Sequence, residues 1–174
     1  SWAKGAATSF GLSRQAALDA AASFGDMFTQ IGFGGSEAAK MSKSVVQMSA
    51  DLGSFNNLGT DDVANRIAAA FRGEYDSLQA VIPNINAARV EHEAMAASGK
   101  KSAAALTAQE KAAAVLAIVQ KDGARAMGDF ARTSSGAANT QKILTARIED
   151  AKAKAGQALL PFRMLALQGM SKLL

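Results

Sequence analysis

The residues of this chain that could do acid–base, nucleophilic or metal chemistry are few, and their spacing gathers none of them into a site. His92 is the only histidine and stands between Glu91 and Glu93. An imidazole titrates near neutral pH and serves as a general base or a metal ligand. A metal centre, however, needs three or four converging ligands, and cysteine is absent. A serine nucleophile activated by His92 would call for a Gly-x-Ser-x-Gly elbow, which no stretch supplies. His92 therefore reads as a solvated surface residue. The glycines of Gly32-Phe33-Gly34-Gly35 could cradle a phosphate ahead of a helix N-terminus, but no strand pattern precedes them and no Gly-Lys-Ser/Thr ending follows. They read as a helix stop and start. The hydroxyls of Thr133-Ser134-Ser135-Gly136 fit a loop and helix cap. On these grounds the sequence indicates no catalytic residue, no cofactor and no metal site, and the chain is expected not to be an enzyme.

What remains is a set of helices. The clearest spans Ser36 to Asn56, where Ala38, Met41, Val45, Met48, Leu52 and Phe55 recur at steps of three and four and form one apolar stripe. Lys40, Lys43 and Gln47 occupy its far face, Ser36 is the expected N-cap, and Glu37 suits the first turn. Before it, Ser13 is expected to cap a helix running to Ile31, with Ala17, Ala21, Phe24, Phe28 and Ile31 inward and Gly32 as its stop. So short a link makes the two an antiparallel hairpin. Residues 1–11 predict no firm structure, and Trp2 is expected to cap the first helix.

Thr60 is the expected cap of a third helix, with Asp61 and Asp62 facing its dipole and Val63, Ile67, Ala70 and Phe71 inward. A short helix from Glu74 to Ala80 is expected to end at Pro83. Residues 84–99 are compatible with either a short helix or an extended segment. Thr107-Ala108-Gln109-Glu110 matches a capping box and opens a helix to Asp122 with Ala112, Val115, Ile118 and Val119 on one face. The last helix begins near Ala138, places Leu144, Ile148, Ala151, Ala155 and Leu159 together, pairs Asp150 with Lys154, and is expected to be interrupted at Pro161. Phe162 to Leu174 is mostly apolar, but with two cations and fewer than the roughly 20 residues of a membrane span it reads as an amphipathic helix. The fold expected is all-α: an extended multi-helix hairpin or bundle of four to seven helices without significant sheet. A polar break at Gly99-Lys100-Lys101-Ser102 divides it into an N-terminal lobe, 1–99, and a C-terminal lobe, 100–174.

The block Met48 to Asn57, MSADLGSFNN, resembles one in the N-terminal core region of phage tail tape-measure proteins. Gly11-Leu12-Ser13 with its Ala-rich helix, Ala68 to Glu74 (AAAFRGE), Gly128 to Thr133 (GDFART) and Leu159-Leu160-Pro161 are similar to that family's other landmarks, in the same order. The resemblance covers nearly the whole chain. It implies a structural segment inside the tail tube of a virion, made in a host bacterial cytoplasm, that sets tail length during assembly and leaves before or with the DNA. The partners it implies are other copies, three as a first expectation, together with tail tube and tail tip proteins and a tail assembly chaperone. Adjoining regions would reach a membrane later.

Composition bears on the same question independently. Roughly a quarter of the 174 residues are Ala, the best helix former but a poor core filler, so thin helical stripes are expected to gain stability by packing against other copies in coiled-coil fashion. The expected interaction residues are Trp2, Met48, Leu52, Phe55, Phe162 and Leu165. Uninterrupted, the chain would make a helix about 260 Å long, but fifteen glycines, clustered at the turns, point to a compact domain within a ruler and not its shaft. The segment is accordingly expected to belong to a longer polypeptide. Residues 1–87 hold six basic and eight acidic side chains, and 88–174 hold thirteen and seven. The cations of the second half are scattered and nearly free of aromatics, which argues against sequence-specific nucleic-acid binding. A generic helical interaction domain docking to an acidic partner, or a membrane-active amphipathic segment, are the alternatives.

Overall fold

The computed structural model describes the backbone of residues 2–171 and the side chains of residues 2–164. It is all-α, as expected, 78% helical, and no strand occurs among the described residues. Helix α1 (Ala6–Phe10) follows a 3-10 turn at Trp2–Gly5, so the opening stretch, expected to be irregular, is helical. Its reason is tertiary: Trp2 lies 5.0 Å from Phe10, ring centroid to centroid, and Ala3, Ala6 and Phe10 are buried.

Helices α2 (Arg14–Ile31) and α3 (Gly35–Phe55) form the expected hairpin and the most extensive pairing in the molecule. Ser13 Oγ accepts from the Ala16 N–H at 3.3 Å, and Gly32 closes α2 with φ +116°, a left-handed conformation that favours glycine. The start of α3 differs from expectation. Gly34 is the N-cap and Ser36 lies inside the first turn, because the extended Gly34 already turns the chain and leaves no capping role for Ser36. Phe24 and Phe28 of α2 stack on one another, and both meet Phe71 edge to face.

Along α3 the stripe is buried at Ala38, Val45, Met48 and Leu52, but Phe55 is 56% exposed. From Val45 to Gly53 every residue except Gln47 is buried, since α1, α2, α4 and α7 pack around this half of the helix. Ser49 within this stretch and Ser42 before it are buried and donate to the carbonyls of Val45 and Ala38 at 2.8 and 2.6 Å. The helix that a one-sided stripe suggests is thus a central one.

Helix α4 (Thr60–Phe71) buries Val63, Ile67 and Ala70 as expected, but its N-cap is Gly59 and not Thr60. A 3-10 turn (Asp76–Ala80) replaces the expected short helix and sends Leu78, Ile82 and Ile85 into the core. The ambiguous segment is helical: α5 (Ala87–Ser98) starts from Asn86, whose Oδ1 accepts from the Arg89 N–H at 2.9 Å. Helix α6 (Ala108–Asp122) has the full Thr107–Glu110 capping box. It packs antiparallel on α5, with Arg89 on Asp122, Lys111 on Glu91 and Lys100 on Glu110 closing the seam. After a single turn of helix, α7 (Asp129–Arg132), the long α8 (Ala137–Ser171) runs through Pro161.

The interruption expected at Pro161 does not occur. Proline removes the bond to the Gln157 carbonyl, but α8 is exposed on all sides at that level, so water can donate to that carbonyl instead. With the short helices α1 and α7, eight α-helices occur among the described residues, against the four to seven expected. One buried cluster runs from Ala6 to Phe130 and draws on residues on both sides of Gly99.

Candidate functional site

Polar side chains converge where the C-terminal end of α3 meets α7 and the first turns of α8. Asp51 is almost wholly buried. Its Oδ1 accepts from the Phe130 N–H at 3.2 Å, and its Oδ2 accepts from Gln47 Nε2 at 3.3 Å. That N–H is an orphan donor in the first turn of α7, so a carboxylate there both satisfies it and faces the positive end of the turn. One helical turn on, Ser54 Oγ donates to Asp129 Oδ2 at 2.6 Å and accepts from Asn139 Nδ2 at 2.7 Å. Asn139 also donates to Thr133 Oγ1 at 2.9 Å, and Thr133 in turn donates to the Asp129 carbonyl at 2.8 Å. Among the described residues, no buried side-chain polar atom lacks a partner.

The opposite side of the junction is held by backbone contacts. Thr60 Oγ1 donates to the Phe10 carbonyl at 2.7 Å, so this hydroxyl ties α4 to α1 in place of its expected capping role. Lys142 Nζ donates to the Leu58 carbonyl at 2.7 Å; burial pushes its pKa down, with Asp61 pulling weakly the other way. Two glycines allow these approaches. A Cβ on Gly53 would lie 3.0 Å from the Leu58 oxygen, and one on Gly11, where φ is +65°, would lie 3.0 Å from the Phe130 ring. Above the junction is an open groove of about 500 Å³, with Ser13, Asp61, Lys142 and Glu149 on its walls.

These hydrogen bonds join α3, α7 and α8. Ser54 directs its proton to the Asp129 carboxylate, and no imidazole or amine is hydrogen-bonded to its Oγ among the described residues. His92 is exposed on α5. No group of three or more His, Asp or Glu side chains with metal-binding geometry occurs among the described residues. No described helix is long and apolar enough to cross a membrane.

The expected interaction residues scatter. Met48 and Leu52 are buried in the chain's own core, Leu52 against Gly123 in the α6–α7 link, so their contacts are internal. Trp2 is half-buried on Phe10, within its own chain. Phe55 and Phe162 are exposed, the latter by 72%, and the side chain of Leu165 lies outside the described residues. The junction residues were missed because sequence spacing cannot pair α3 with α7. The available signal was Asp51, a carboxylate three residues from Met48 and beside Leu52, on the inward side of an apolar stripe.

No protein family, no curated protein and no solved structure matches this chain.

Proposed function

We propose that this chain is a compact helical unit of a phage or prophage tail tape-measure protein, lying in the lumen of the tail tube and acting by association without chemistry. The observation that carries the reading is that two resemblance blocks distant in sequence serve one junction. Asp51 and Ser54 of MSADLGSFNN bond to Phe130 and Asp129 of GDFART across 79 and 75 residues. Residues that hold one another in this way must occur together and in order if the unit is to fold. That supports reading the collinear blocks as marks of a shared domain. Partners in this reading are other copies, three as a first expectation, with tube and tip proteins and an assembly chaperone.

The test is tail length. Inserting a helical segment of about 40 residues into the parent chain, outside residues 1–174, should lengthen assembled tails by about 60 Å in electron micrographs, at 1.5 Å per residue. Tails of unchanged length, from particles that contain the lengthened chain, would exclude a ruler.

A further inference from the structure

Helix α8 presents two faces, set by its 3.6-residue repeat. Asn139, Ile143, Ala146 and Asp150 form the first. Asn139 and Ala146 are buried, Ile143 packs on the core, and Asp150 Oδ1 accepts from the Arg14 N–H at 2.7 Å, at the start of α2. About 130° further round run Leu144, Ile148, Ala151, Ala155, Ala158 and Phe162, at alternating steps of four and three. All six are exposed, Leu144 by 57% and Ile148 by 46%. Nothing within the described residues covers this seam, so folding of the chain gives no reason for its apolarity. A 4–3 alternation is the spacing a second helix fills with knobs into holes.

The borders of the seam carry one sign of charge. Arg147 and Lys154 lie along one edge, and Lys152 followed by the exposed Leu159 along the other, while Glu149 and Arg163 lie further round the helix and Asp150 faces the body. We propose that the seam docks an amphipathic helix of a different protein, one whose own apolar stripe is bordered by Asp or Glu. A second copy of α8 fits poorly. In parallel it sets Arg147 against Lys152 of the other copy, and antiparallel it sets like edges together, so each register pairs cations. A lipid surface fits poorly too. The exposed Leu160 and Met164 lie on the far side of the helix from the seam, where a flat bilayer meeting the seam would not reach them, and a bilayer does not require 4–3 spacing, whereas the small residues Ala151, Ala155 and Ala158 let two helix axes approach closely. The inference does not depend on the tail assignment.

The 174-residue chain is titrated with fluorescein-labelled synthetic helices of about three heptads that share a Leu/Ala 4–3 stripe and carry either Glu or Lys at the flanking positions. The Glu-flanked helix should bind at least about tenfold more tightly and lose about tenfold in affinity when salt rises from about 50 to about 500 mM. R147E/K152E/K154E should reverse the preference, and I148S/F162S should abolish binding of both helices. All five positions are exposed, and far-UV circular dichroism verifies that each variant is folded. Equal binding of the two helices, or binding of neither, overturns the proposal. So does self-association by sedimentation that depends on Ile148 and Phe162, or capture by phosphatidylserine vesicles that I148S/F162S removes.

Discussion

Leu52 and Phe55 occupy the same helical stripe one turn apart, yet they have opposite surroundings. Leu52 is enclosed between α3 and the α6–α7 link, whereas Phe55 stands at the end of the helix where the chain turns away through Asn56 and Asn57. Phe55, which shares the apolar stripe with Leu52, is therefore not part of the core. Leu52→Ala should cost about 2–5 kcal/mol and Phe55→Ala under about 1 kcal/mol, read from urea denaturation midpoints. Comparable losses at the two positions would contradict the packing described. Asp51 carries a second lesson at this scale. A buried carboxylate on an apolar stripe is tolerated here because an orphan N–H of α7 needs an acceptor.

Between elements, the clearest electrostatic device is the α5–α6 clamp. Arg89 grips Asp122 with both terminal nitrogens, Nη2 at 2.8 Å from Oδ1. The hydrogen bond from Arg89 holds the Asp122 carboxyl below its ordinary pKa. A depressed carboxylate pKa adds stability that is present above the unfolded value, about 3.9, and is lost as pH falls through the folded value. Asp122→Asn should therefore unfold at lower urea than the unaltered chain at pH 6, and the gap should narrow at pH 2. A gap that is equal at both pH values would remove the clamp from the account. Helix α8 makes the complementary point. Its first turns are held by Asn139, Ala146 and Asp150, and the described residues from Ala151 to Met164 follow as a helix exposed to solvent.

At the scale of the molecule, one core joins residues on both sides of the Gly99 break, and α5 and α6 pack across it. Trp2, the single tryptophan, reports on the α1 end of that core through Phe10. Its fluorescence and the helical circular dichroism signal should give coincident urea transitions, with only a sloping folded baseline from the exposed residues 151–164 of α8. Two separated midpoints would instead establish independently folding lobes at about the division read from the sequence.

The helical class, the α2–α3 hairpin, the cap at Ser13, the stop at Gly32 and the Thr107–Glu110 capping box were all legible in the sequence. Each rests on interactions between residues within a few positions of one another, which periodicity and cap chemistry encode directly. The enclosure of α3, the helicity of residues 2–10, the true role of Thr60 and the Asp51–Ser54–Asp129–Thr133–Asn139 junction were not. They depend on which helices meet, and contacts across 50 to 85 residues leave no periodic trace in either partner. The continuity of α8 through Pro161 belongs with these. Local propensity opposes it, and only its exposure to water along that turn, a property of the folded arrangement, removes the objection.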